Sequence, residues 1–216
     1  MNTEAVKLAH LLLEGDADAS FAFLCDLREQ GWPSVDIYQR IVSGAMQHIG
    51  ELWEQDHISV ADEHLATATC DFMISRYHAQ TKQKKLGHKA MFLCVAEEQH
   101  TLGMRMASLL FEENGWKTKM MGANLPLEHA VSAAQKWQPD VICLSVTILY
   151  HVPVLKMYAE TLESLPFHPK IMVGSRLLSM YDLSPYCTPN TLFMTDYKKL
   201  IGWMNDQSEG KASGAS

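Results

Sequence analysis

Ala90-Met91-Phe92-Leu93-Cys94-Val95 runs directly into Ala96-Glu97-Glu98-Gln99-His100-Thr101-Leu102-Gly103, and this passage decides the fold. A short apolar run with no polar alternation reads as a strand covered on both faces. Leu102 to Glu113 then reads as a helix that closes at Asn114-Gly115. The same cycle returns downstream. Trp116–Met121, Val141–Ser145, Lys170–Val173 and Thr191–Phe193 have strand character, while Leu127–Lys136, Val154–Leu165 and Tyr197–Met204 have helical character. Strand–helix alternation at this spacing predicts a flavodoxin-like, doubly wound parallel sheet.

Upstream of Gly87 the apolar period is helical. Glu4–Glu14 carries Val6, Leu8, Leu11 and Leu12 at three- and four-residue spacing and stops near Gly15-Asp16. A second helix is expected over Ala19–Glu29, ending at Gly31. A third begins near Val35 and reaches about Glu54, with Ile41, Ile49 and Leu52 on its apolar face. A fourth starts at Ser59, where Ser59 and Asp62 have the spacing of a capping box, and runs to about Tyr77. Four helices joined by short turns make a bundle. The chain thus divides into a helical bundle over 1–86, an α/β domain over 87–207 and a small, polar, disordered tail over 208–216.

Composition narrows the function. An apolar fraction of 47% and a charged fraction of 20% are ordinary for a globular protein. No apolar run reaches the length of a membrane span, and the start Met1-Asn2-Thr3-Glu4 lacks the basic and apolar regions of a secretory signal. Five widely spaced cysteines suit buried thiols in a reducing cytoplasm. The net charge of −7 is concentrated in residues 1–86, whose 13 acidic and 7 basic side chains give −6. Lys82, Lys84 and Lys85 form a single basic cluster, too small for a surface that tracks phosphates, so neither nucleic acid nor a membrane is expected as a direct partner.

In open α/β sheets, ligands collect beyond the carboxyl ends of the strands. Three segments lie there: Glu98 to Gly103 after the first strand, Ser145-Val146-Thr147 after the third, and Gly174-Ser175-Arg176 after the fourth. His100 offers an imidazole to a borderline or soft metal, and Glu98 is close enough in sequence to hold the other ring nitrogen. The bland alternative is a helix-start histidine bonded to backbone. There is no dinucleotide-type glycine spacing and no phosphate-loop lysine. In the bundle, Trp53 precedes the pair Glu63-His64 by nine intervening residues. An indole can lid a cavity and Glu63 can accept hydrogen bonds, but sealing a helix junction and favouring a helix N-terminus account for the same residues.

Glu98-x-His100-x-x-Gly103 resembles the Asp-x-His-x-x-Gly signature of cobalamin-binding domains, with glutamate replacing aspartate. Ser145-x-Thr147 resembles their second motif, and Gly174-Ser175 their third, usually two glycines. The resemblance implies cobalamin held between bundle and sheet with His100 as the lower cobalt ligand, Ser145 on the buried base, Thr147 lining its slot and Gly174 leaving room for the nucleotide tail. Ser175 adds a side chain beside that slot. The Trp53/Glu63/His64 set is similar to the Trp-x9-Glu-His motif of light-sensing adenosylcobalamin domains in bacterial transcription regulators. There the tryptophan and glutamate surround the adenosyl group, and the histidine becomes the upper ligand after photolysis. Those regulators carry a DNA-reading module before the bundle, and this sequence starts almost at the first helix.

The resemblance therefore implies a cobalamin-binding light sensor signalling through a protein partner or homo-oligomer. The alternatives are a corrinoid methyl carrier of a methyltransferase system, with methylcobalamin as its form of the cofactor, and a regulator binding haem or another tetrapyrrole. No catalytic triad or acid–base pair is visible, so the isolated chain is not expected to be an enzyme.

Overall fold

The structure is a computed structural model describing residues 2–81 and 87–212; Lys82, Lys84 and Lys85 lie outside the described residues. It divides into two units, residues 1–82 and 83–216.

The first unit is built from α1 (Thr3–Leu13), α2 (Ala17–Glu29), α3 (Ser34–Asp36), a π-helical segment (Ile37–Val42), α4 (Ser43–Glu54) and α5 (Val60–His78). Short polar side chains start the helices, as helix N-termini require. Asn2 accepts from the Glu4 amide at 3.0 Å and Asp16 from the Ala19 amide at 2.9 Å. Ser59 and Asp62 form the expected capping box. Ala5, Leu8, Ala9 and Leu12 give α1 one buried stripe, and α1 packs on α4 and α5 while α2 packs on α5. Sequence spacing predicts an uninterrupted α-helix over 35–54. Instead, the chain passes through the π segment, where both the amide and the hydroxyl of Ser43 bond the Tyr38 carbonyl five residues back. The wider turn lets two adjacent pairs, Ile37-Tyr38 and Ile41-Val42, all be buried, which a regular 3.6-residue turn does less readily.

The second unit contains β1 (Lys89–Cys94), α6 (Leu102–Glu113), β2 (Lys117–Met120), α7 (Leu127–Trp137), β3 (Val141–Ser145), α8 (Val154–Glu163), β4 (Lys170–Gly174), β5 (Leu192–Met194) and α9 (Tyr197–Ala212). The sheet order is β2-β1-β3-β4-β5, and every pairing is parallel. Odd and even strand positions feed two separate cores. Met91, Leu93, Ile142, Leu144, Ile171 and Val173 pack with residues of α7 and α8. Ala90, Phe92, Cys94, Cys143 and Met172 pack with residues of α6 and α9. The sheet is therefore covered on both faces, which is why its strands lack polar alternation. The helix α9 runs through Ala212, so residues 208–212 continue it; residues 213–216 lie outside the described residues. Among the described residues, no helix is long and apolar enough to cross a membrane.

Candidate functional site

Strand order reverses between β1 and β3. The connection from β1 leads to the α6 face and that from β3 to the α8 face, which opens a crevice at their carboxyl ends. The loop after β1 enters this crevice through a tight turn, with the Glu98 amide on the Val95 carbonyl at 3.1 Å and Glu97 in the left-handed region at φ 67. That conformation costs a non-glycine residue about 1 kcal/mol or more, so the surroundings must hold it. Asn124, itself at φ 47, accepts from the Glu97 amide through Oδ1 at 2.8 Å and donates its own amide to the Glu98 carbonyl at 2.8 Å. Tyr158 on α8 ties the same two loops: its hydroxyl accepts from the Ala96 amide at 3.1 Å and donates to the Leu125 carbonyl at 2.6 Å.

The turn sends the Glu98 side chain inward, where it is fully buried. Its Oε1 accepts from the His100 amide at 2.9 Å and lies 2.6 Å from His100 Nδ1. Its Oε2 accepts from the amide of Thr147, and from the Thr147 hydroxyl at 2.9 Å. Burial pushes the Glu98 carboxyl upward, but these hydrogen bonds from His100 and Thr147 outweigh it and bring the pKa down to about 2. An ionised carboxylate only accepts, so Nδ1 carries the imidazole proton. Nε2 is then a lone-pair donor. The ring is 62% exposed, and Nε2 has no protein partner among the described residues.

The remaining predicted residues of this unit have distinct places. The amide and hydroxyl of Thr147, the residue expected along a slot, engage Glu98, with the hydroxyl 3.0 Å from His100 Nδ1. Ser145 is buried at the end of β3. Gly174 ends β4 with open space on its side-chain side, since an added Cβ would meet nothing within 4 Å. The Ser175 hydroxyl donates to the Val146 carbonyl and accepts from the Leu177 amide. Gly103 lies in the first turn of α6, and its carbonyl accepts from the Tyr197 hydroxyl at 2.8 Å. Cys94 and Cys143 are buried; burial first, and then the nearby Glu98 carboxylate, pushes the Cys94 thiol up to about 12, and burial also raises Cys143. Both stay protonated and are poor ligands. His151 is buried too, with Nε2 3.7 Å from Glu97 Oε2. Sequence reading missed Asn124 and Tyr158: a left-handed asparagine before Leu125-Pro126 signals only a loop, and a tyrosine on α8 signals only a core.

In the helical unit, Trp53, Glu63 and His64 flank one turn. The helix α4 ends in a Schellman arrangement, with the Asp56 amide on the Trp53 carbonyl at 3.0 Å and the His57 amide on Leu52 at 2.9 Å. Asp56 takes the left-handed position at φ 57 usually given to glycine. Ser59 then starts α5, which puts Glu63 and His64 in its opening turns. The side chains are held more lightly than the backbone. Thr67 donates to Glu63 Oε1 at 2.9 Å, and His64 Nε2 lies 3.7 Å from Glu63 Oε2. The Trp53 side chain is half exposed and the His64 ring is 75% exposed.

Residues 5–76 match one family model described as a B12 binding domain, and residues 88–181 match a second with the same description. The chain is 25% identical over 114 residues to the HTH-type transcriptional repressor CarH of Myxococcus xanthus, covering 52% of this chain and 38% of that protein. It is 27% identical over 88 residues to the HTH-type transcriptional repressor CarA of the same organism, covering 41% and 31%. It thus spans about a third of the curated relatives it matches. The monomethylamine corrinoid protein of Methanosarcina barkeri has a similar fold, with a TM-score of 0.69 at 18% identity over 90% of this chain and 95% of that one. The methanol:cobalamin methyltransferase complex MtaBC from that organism gives 0.51 at 14% identity over 97% and 81%.

Proposed function

Because this chain belongs to the B12-binding domain family, we propose that it is a cobalamin-based light sensor whose output is a change in protein–protein contact. Cobalamin binding itself follows from the family; the form of the cofactor and the signal are the proposal. The observation that supports the sensor reading is the Trp53/Glu63/His64 set, which flanks the capped turn between α4 and α5 with Trp53 and His64 exposed. The partial similarity to two transcriptional repressors points the same way.

The residues after β1 suit the lower face of the cofactor. Among the described residues His100 presents Nε2 without a protein partner, while Glu98 holds Nδ1 and Thr147 holds Glu98. The open space at Gly174 suits a nucleotide tail passing the end of β4. When bound, adenosylcobalamin supplies a light-labile cobalt–carbon bond. On the bundle, Trp53 offers an apolar lid and Glu63 two acceptor oxygens, one already used by Thr67. His64, one position further on, is an exposed imidazole that would offer cobalt a second nitrogen ligand. A change of ligation at His64 would alter the bundle's surface for a partner or a second copy.

The competing reading is a corrinoid methyl carrier serving a separate methyltransferase, which has no use for Trp53, Glu63 or His64. An absorption spectrum of the purified chain loaded with adenosylcobalamin in darkness, taken before and after green light, separates the two. A stable light-adapted spectrum that disappears in His64→Ala supports the sensor. Retention of cofactor with no such spectrum moves the chain to the carrier class.

A further inference from the structure

We propose that Asn124, in the loop between β2 and α7, is the positioning residue for the lower-ligand loop; the proposal rests on the cobalamin reading above. Two non-glycine residues, Glu97 and Asn124, take left-handed conformations, and two hydrogen bonds of 2.8 Å join Asn124 to the turn, one from the Glu97 amide and one to the Glu98 carbonyl. A turn with its third residue at positive φ favours glycine or asparagine, and here that place holds glutamate. Asn124 compensates. Its Oδ1 satisfies the Glu97 amide and its own amide satisfies the Glu98 carbonyl, so the chain is held just before and just after the 97–98 peptide, whose own amide bonds Val95.

The consequence reaches the metal-facing nitrogen through two contacts. Fixing the peptide at Glu98 fixes where its side chain departs, and that carboxylate sets which nitrogen of His100 carries the proton. Tyr158 supports the same turn through the Ala96 amide. Among the described residues, the hydrogen bonds of Asn124 in this loop go to Glu97 and Glu98, not to His100 or to the end of β3. It acts only through the conformation of Glu97 and Glu98.

The test uses three variants of the full chain. Asn124→Gly keeps the left-handed backbone accessible and removes the Oδ1 acceptor. Asn124→Asp restores an acceptor. Glu97→Gly combined with Asn124→Gly removes the residue that needed holding. Asn124→Gly is expected to weaken hydroxocobalamin retention about tenfold, in the range for lost outer partners of a metal-bound histidine. Asn124→Asp and the double variant should recover to within about threefold of the parent by the same measure. A second readout needs no cofactor: long-range proton–nitrogen NMR of the unloaded chain reports the His100 tautomer. The parent should show a single form protonated at Nδ1, and Asn124→Gly a mixture. A parent-like tautomer and parent-like retention in Asn124→Gly overturn the proposal. If the parent itself retains no cobalamin, the functional reading falls, and the tautomer comparison still decides the role of Asn124.

Discussion

Two histidines, His100 after β1 and His64 on α5, are built in opposite ways. His100 is oriented by a buried carboxylate that accepts four hydrogen bonds, and the loop beneath it is tied by Asn124 and Tyr158. His64 is exposed and has one loose carboxylate neighbour at 3.7 Å. Preorganisation of the first suits a ligand that stays bound, because the tautomer and ring direction are set before metal arrives. The freedom of the second suits a ligand used in only one state. The difference also separates what is supplied by side-chain networks from what is supplied by backbone. At His100 the side chains are locked. At His64 only the helix turn is.

Removing the anchored ligand should have the largest effect. His100→Ala is expected to weaken hydroxocobalamin retention more than about 100-fold, beyond the usual loss for an outer partner, as measured by equilibrium dialysis. Parent-like retention in that variant would break the comparison at its root.

Glu98→Gln comes next, with a loss of about 10- to 100-fold. It also has an unloaded signature. The folded Glu98 carboxyl sits at about 2, below its ordinary value of 4.5. A depressed pKa contributes stability that is complete above the unfolded value and is lost as pH falls toward the folded one. The parent should therefore lose about 3 kcal/mol from this group between roughly pH 5 and pH 2, an order-of-magnitude figure. Urea unfolding across that window should be visibly flatter in Glu98→Gln, and an unchanged slope would mean that the carboxylate is not the anchor described.

Most of this asymmetry follows from features that differ in how locally they are encoded. The strand Lys89–Cys94, the helix Leu102–Glu113 and the Ser59/Asp62 cap are set by neighbouring residues, and sequence patterns identify them to within a residue. The pairing of Glu98 with His100 is likewise local, two residues apart. Thr147 meets Glu98 across 49 residues and Asn124 meets Glu97 across 27, contacts created by strand order. No spacing rule reports them. The π segment escaped because apolar periodicity places residues on a face without counting an extra residue in a turn.

The bundle side of the comparison is sharpened by Ser59→Ala. Its hydroxyl accepts from the Asp62 amide, and the Asp62 carboxylate answers the Ser59 amide at 2.8 Å. Loss of such a cap costs about 1 kcal/mol, read as a lower urea midpoint for the bundle. Because the cap fixes the start of α5, the light-adapted spectrum should weaken while dark retention on His100 stays near the parent value. Equal losses in both would indicate that the two histidines are not separately supported.

His64→Ala should have the smallest effect in darkness. The side chain is 75% exposed and, among the described residues, its ion-pair neighbour is Glu63 at 3.7 Å, so removal leaves no buried partner unpaired there. Exposed substitutions of this kind shift stability by no more than about 0.5 kcal/mol, or roughly twofold in an equilibrium constant. Dark retention of adenosylcobalamin should stay within that twofold range, and the unfolding midpoint should hardly move. The loss should be confined to the state reached after green light, because that is the condition in which an unanchored imidazole gains a partner. If dark retention fell as far as in Glu98→Gln, His64 would be a resident ligand despite its exposure, and the contrast between an anchored and a conditional histidine would have to be abandoned.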